Sequence, residues 1–194
     1  MKNLILILAL LPTMAYAQFP IEYDFTTNVG STAWSFNSSG TSTTTAGWET
    51  YGVITTTLDS GVAYPNNAKQ RMVSPTVNLS SCALDVDVSF DIYGVIEDQF
   101  DFMYFQYKIG FGNWIDIDTL TGFMDSTLIY SVTPSATKFR FMLKADGSIN
   151  TYTDTSGTYL YFYDIDNFKI DCASGLPVEL TYFDGECGSL RWQT

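Results

Sequence analysis

The sequence predicts an all-β, antiparallel β-sandwich, and three observations carry that expectation. Apolar and polar residues alternate with a period of two in most of the hydrophobic runs. Clusters of Gly, Pro, Asn, Asp and Ser separate those runs. No window of a dozen residues shows a 3.6-residue period, so the crossover helices of a parallel α/β fold have no sequence to form them.

Strands are expected in order at residues 21–25, 48–58, 73–79, 84–92, 102–109, 116–120, 128–132, 138–144 and 159–170. The fourth alternates without error: Leu84, Val86, Val88, Phe90 and Ile92 share one face, and Asp85, Asp87, Ser89 and Asp91 the other. In the fifth, Met103, Phe105, Tyr107 and Ile109 lie opposite Phe102, Tyr104, Gln106 and Lys108. In the eighth, Phe139, Phe141 and Leu143 alternate with Lys138, Arg140 and Lys144, the apolar Met142 being the exception. Turn residues fall between them at 37–40, 59–61, 65–67, 110–113 and 146–147. Residues 38–45 are almost pure Ser, Thr and Gly and read as a loop.

The N-terminus speaks to compartment. Met1, Lys2 and Asn3 make a short basic start, Leu4 to Leu11 is unbroken apolar sequence, and Ala15-Tyr16-Ala17 is an A-x-A cleavage site. Residues 1–17 therefore read as a secretory signal peptide, and a secreted protein at the outer surface or beyond is expected. The apolar run would make only about 12 Å of helix at 1.5 Å per residue, short of a bilayer, and no membrane span is expected.

Composition excludes several functions. Hydrophobic residues make up 46% of the chain, too many for disorder. The formal net charge is −12, the wrong sign for a phosphate backbone, so no nucleic-acid partner is expected. There is no His, which removes every Ser-His or Cys-His nucleophile pair and the commonest zinc ligand. A glycoside hydrolase needs two carboxylates flanking the bond. The densest acidic cluster, Glu97-Asp98-Gln99-Phe100-Asp101, lacks the alternation that would aim two acids into one groove. A non-enzymatic protein is expected.

Two stretches carry a resemblance. Residues 176–194 read LPVELTYFDGECGSLRWQT, and Leu176, Pro177, Val178, Glu179, Leu180, Phe183, Cys187, Leu190, Trp192 and Thr194 match the start of a linking, fibronectin-like domain of secreted Bacteroidetes proteins. That resemblance implies a truncated second domain over 173–194, covalent continuity with missing C-terminal domains, and type IX secretion. Residues 18–172 resemble MAM-like and cleaved-adhesin-like jelly rolls. The counterparts are Tyr23-Asp24-Phe25, Ser74-Pro75-Thr76-Val77-Asn78-Leu79-Ser80, Asp101 ahead of an aromatic run, Gly112-Asn113-Trp114, Phe139-Arg140-Phe141 and Ile165-Asp166-Asn167-Phe168. A jelly-roll β-sandwich is what this implies. The functional expectation is a non-catalytic adhesion or carbohydrate-binding accessory module, taking a glycan or a cell-surface protein as partner. The alternative is a passive spacer.

Site residues follow from the residues and the resemblance together. In jelly rolls of the resembled type a structural ion often bridges the first and last strands. Asp24 and Asp166 take those places with Asp164 nearby, so structural calcium is the implied cofactor, against the alternative that these acids cap turns or accept backbone hydrogen bonds. For glycan stacking, Tyr159, Tyr161 and Tyr163 share one face of the expected last strand, Tyr104 stands beside Gln106 and Lys108, and Trp114 lies at a hairpin tip. The plainer alternative is that tyrosines merely cover a sheet. Asp118-Thr119-Leu120 and Asp125-Ser126-Thr127 resemble Bacteroidetes O-glycosylation acceptors, which marks Thr119 and Ser126. Of the three cysteines, sequence alone allows any pairing. A jelly roll brings its closing strand back beside early ones, which implies Cys82–Cys172 and leaves Cys187 free in this fragment.

Overall fold

Alternating side chains assemble into two antiparallel sheets. In the computed structural model the strands are β1 (Ile21–Tyr23), β2 (Ser35–Ser39), β3 (Glu49–Thr50), β4 (Ile54–Thr55), β5 (Lys69–Val73), β6 (Val86–Val95) and β7 (Phe102–Lys108). They continue with β8 (Trp114–Leu120), β9 (Phe123–Val132), β10 (Lys138–Lys144), β11 (Thr151–Asp154), β12 (Gly157–Leu160) and β13 (Phe162–Cys172). The structure describes residues 19–23, 25, 33–39, 49–50, 54–55, 64, 66–148, 151–154 and 157–172. The expected signal peptide, Asp24, Cys187 and the second-domain stretch 173–194 lie outside the described residues.

The first sheet has the order β3-β4-β13-β6-β9, with β1 also on β13, and the second has the order β2-β5-β10-β7-β8. The chain crosses from one to the other between β5 and β6, β6 and β7, β8 and β9, and β9 and β10, so sequence neighbours face each other across the core. This is the antiparallel jelly-roll β-sandwich the sequence predicts. Strands β11 and β12 form a separate hairpin. Among the described residues, no helix is long and apolar enough to cross a membrane.

The inward half of each alternation fills the core. Phe90 from the first sheet meets Phe105 and Phe141 of the second with ring centroids 4.8 and 4.7 Å apart, edge to face. Trp34 closes one end against Phe168, 5.1 Å away. Cys82 and Cys172 are joined, their Cα atoms 5.3 Å apart, which ties the loop before β6 to the end of β13 as the resemblance implied. Gly94 sits in β6 at φ 127°, where an added Cβ would collide with the Phe162 carbonyl oxygen. Only glycine fits that backbone and that approach.

Three expected elements differ. Strand β5 ends at Val73, where residues 73–79 were expected to pair, because Pro75 has no N–H to donate. Ser74 adapts the end of the ladder: its N–H donates to the Phe139 carbonyl, and its hydroxyl accepts from the Phe139 N–H. Strand β2 forms where a turn was expected at 37–40, since Ser35 to Ser39 pair fully with β5 despite their turn-forming composition. The expected strand 159–170 is two strands, β12 and β13, which pair with different partners.

Candidate functional site

The outward half of each sheet is where the two differ in chemistry. On the second sheet, Gln70, Met72, Met103, Phe105, Phe139, Phe141 and Leu143 point inward and are buried. Their sequence neighbours therefore face out, and the register arranges them in rows across the strands. Lys69 lies opposite Lys144, which lies opposite Phe102. In the next row Asn37, Arg71, Met142, Tyr104 and Thr119 are successive partners. Arg140 lies opposite Gln106, and Gln106 opposite Asp116. The last row is Lys138, Lys108 and Trp114.

A bonded chain crosses the middle of this face. The Gln106 amide nitrogen donates to Asp116 Oδ1, and Arg140 Nε donates to Gln106 Oε1 at 2.5 Å. The Arg140 guanidinium then stacks on the Trp114 ring, 4.3 Å from its centroid, with the Lys108 ammonium 5.3 Å away. Burial, and after it the neighbouring Arg71 charge, pull Arg140 down to about 10, while Asp116 works the other way. Arg140 therefore stays charged at neutral pH. Arg71 Nε is buried and has no hydrogen-bond partner.

The first sheet turns acids outward. Asp91 and Asp166 are direct cross-strand partners, as are Asp87 and Asp171. Asp91, Asp125, Asp164 and Asp166, with Tyr93 and Thr127, line a groove of about 610 Å³. Asp91 accepts from Thr127 Oγ1 at 2.5 Å and Asn167 Nδ2 at 2.7 Å, and Asp166 Oδ1 accepts from the Phe25 N–H at 3.1 Å. Lys169 pairs with Glu22 and Asp171.

A further acidic group is built for packing. Asp101 is 1% exposed, and both its oxygens are occupied: Tyr64 Oη donates to Oδ2 at 2.6 Å and the Asp146 N–H to Oδ1 at 2.8 Å. One carboxylate oxygen from each of Glu97, Asp101 and Asp146 falls within 4.8 Å of the others. The Ser148 hydroxyl lies within hydrogen-bond reach of both Glu97 Oε2, at 3.1 Å, and Asp146 Oδ1, at 2.5 Å. Burial raises Asp101, chiefly by desolvation, although its two donors oppose that.

The structure sorts the residues that the sequence singled out. Tyr104 and Trp114 share the outer face of the second sheet. Trp114 is not at the hairpin tip as expected: it opens β8, and the fully exposed Phe111 takes the tip. Tyr163 is corrected outright. It is wholly buried and donates to the Gly122 carbonyl at 2.6 Å, because odd-numbered residues here continue to Ile165 on the core face of β13. Tyr161 is half-buried and packs against the core, and Tyr159 lies in β12, paired with Tyr152. Asp164 and Asp166 share the acidic groove, and sequence reasoning missed their partners Asp91 and Asp125. Thr119 and Ser126 are both exposed, on edge strands β8 and β9. Arg71 and Arg140 were also missed as site residues. Each reads locally as the polar side of a half-buried strand.

No family model matches the chain, and no curated protein matches it. Solved structures do. The K3 cleaved adhesin domain of Lys-gingipain from Porphyromonas gingivalis is similar over 78% of this chain and 98% of its own, at 10% identity and a TM-score of 0.51. The K1 cleaved adhesin domain of the same protein is similar over 80% of this chain and 99% of its own, at 11% identity and a TM-score of 0.49. A family 11 carbohydrate-binding module of a Clostridium thermocellum cellulase is similar over 81% and 97%, at 12% identity and a TM-score of 0.47. At 10% identity the likeness to the K3 domain is one of fold, and it agrees with the β-sandwich described above.

Proposed function

We propose that the protein is a non-catalytic binding module, an adhesion or carbohydrate-binding unit of a larger extracellular protein, and that the outer face of its second sheet receives a glycan. The observation that carries this reading is the gathering on one face of Tyr104 and Trp114 with the bonded chain Arg140–Gln106–Asp116. Sugar recognition needs flat aromatic surface beside fixed donors and acceptors, and this face offers both. The fold likeness to an adhesin domain supports a binding role. The Cys82–Cys172 bond supports an oxidising, extracellular compartment.

Structural calcium, held by Asp164 and Asp166 near the first strand, belongs to the same reading, since these donors are the hard oxygens calcium takes. Glycosylation of Thr119 is a competing use of the face, because that residue is Tyr104's cross-strand partner.

The experiment is a polysaccharide array probed with the protein and with Tyr104→Ala, each with and without chelator. The expected result is a bound glycan whose signal falls at least tenfold in the variant. A passive spacer would bind nothing on the array under either condition, and that outcome ends the reading.

A further inference from the structure

The chain carries nine lysines and arginines in all, against 21 acids. Six of those nine, Lys69, Arg71, Lys108, Lys138, Arg140 and Lys144, stand on the outer face of the second sheet. Among the described residues of its five strands, Asp116 is the one carboxylate facing the same way. The other acid there, Asp118, lies opposite the buried Phe105 and accepts from Tyr130 across the sandwich edge. In a protein this acidic, such a segregation needs a cause, and solubility does not supply one.

The arrangement also has an internal cost. Lys69 lies directly opposite Lys144, and Lys138 directly opposite Lys108, like charges in cross-strand register. Arg71 and Arg140 crowd each other, and Arg71 Nε is buried without an acceptor. The like-charge pairs and the crowding of Arg71 against Arg140 would be relieved by the same thing, an anionic group lying on the face. The cations fall in all four successive rows. Rows two residues apart are about 7 Å from one another, so positive charge recurs along about 20 Å of the strand direction.

We infer that this face binds an acidic polysaccharide, whose repeated carboxylate or sulfate groups follow the four rows while Arg71 and Arg140 grip one acid group between them. This rests on the proposal that the face is a glycan surface, and it names the ligand class. A folded protein partner fits less well, because interface cores are depleted of lysine and this face carries four. A nucleic acid is a polyanion that the same cations would attract, and it is separated from an acidic polysaccharide by the DNA arm of the test.

The test is binding of the full chain to immobilised polygalacturonate, its carboxyl-reduced neutral counterpart, dextran sulfate, dextran, and a single-stranded DNA oligomer. Polygalacturonate or dextran sulfate should bind and weaken steeply with salt, and which of the two binds identifies the acid group. The neutral partners should bind at least tenfold more weakly. Arg71→Gln with Arg140→Gln should remove at least tenfold of the affinity, and Lys108→Gln with Lys138→Gln, at half-buried positions on the outer face outside the core, should weaken it several-fold. Lys169→Gln, on the other sheet, should bind as the parent does. Equal binding of acidic and neutral polymers, lost in Tyr104→Ala, overturns the acidic ligand and keeps the glycan surface. DNA bound as tightly as polygalacturonate overturns the inference in favour of indiscriminate polyanion capture. No binding to any polymer, acidic or neutral, overturns both.

Discussion

The two outer faces of the sandwich are built by the same device and carry opposite charge. On the first sheet Asp87, Asp91, Asp125, Asp164, Asp166 and Asp171 stand at outward positions of β6, β9 and β13, with Lys169 as the one cation among them. On the second sheet six cations stand at outward positions of β5, β7 and β10, with Asp116 on the neighbouring β8. Inward, the two sheets are alike: Val, Ile and Phe on one side meet Met, Leu and Phe on the other. The difference shows how the fold divides its sequence. Core packing dictates every second residue, and anything soluble satisfies the remainder. Charge sorted so cleanly into that remainder is therefore not owed to folding. It also gives the molecule a polarity along the sheet normal, which would orient a charged ligand before contact.

The largest effect should come from breaking the frame beneath the acidic face. Gly94→Ala puts a Cβ into the Phe162 carbonyl and forces alanine to a positive φ, in the strand between β13 and β9. The expected loss is about 3 kcal/mol, read as a fall in denaturant midpoint with m unchanged. A variant melting as the parent does would mean that Phe162 yields, the junction between β12 and β13 giving way to admit the added methyl group.

Next comes Asp101, below the end of β7 where the cationic face begins. Asp101→Ala removes the buried acceptor of two hydrogen bonds, from the Tyr64 hydroxyl and the Asp146 N–H, and should destabilise by about 2 kcal/mol. Asp101→Asn tests the charge alone. Burial raises Asp101 in the folded state, so folding favours its protonated form. The parent should then gain stability relative to Asp101→Asn as pH falls from neutral through the raised value, and the gain should stop below the ordinary carboxylate range. A difference independent of pH would show that Tyr64 and Asp146 fully offset the desolvation.

The inward half of this molecule was legible in its sequence, and the outward half was not. Alternation identified β6, β7 and β10 and put Phe90, Phe105, Phe139 and Phe141 in the core. It failed where a core position is polar or a strand has turn-like composition. Gln70 is buried in β5 with neither amide atom bonded, so the strand reads locally as charged coil. Strand β2 is Ser-rich and pairs only because β5 offers it an edge. The candidate site was half visible. Tyr104 and Trp114 could be named because aromatics stand out in a row of residues. Arg71 and Arg140 could not, because they come together only when β10 inserts between β5 and β7. Periodicity says which side a residue takes, never which strand lies beside it.

The smallest expected effect is the one that separates the two faces most sharply. Each carries like charges directly opposite one another: Asp87 and Asp171 on the first sheet, Lys138 and Lys108 on the second. Removing one member of such a pair relieves repulsion worth a few tenths of a kcal/mol, roughly 0.5 at most on exposed strands. Lys169 already sits 3.4 Å from Asp171 and offsets part of it, so the gain from Asp87→Asn should fall at the lower end. Lys138→Gln has no such partner and should gain slightly more. The melting temperatures should thus rise by similar small steps. Binding should not follow them: Asp87→Asn should leave affinity for the acidic polymer unchanged or a little higher, whereas Lys138→Gln should weaken it as stability improves. Stability and binding moving in opposite directions on one face only would mark that face as kept for its ligand. If Lys138→Gln gains stability and keeps its affinity, the cationic rows are as dispensable as the acidic ones.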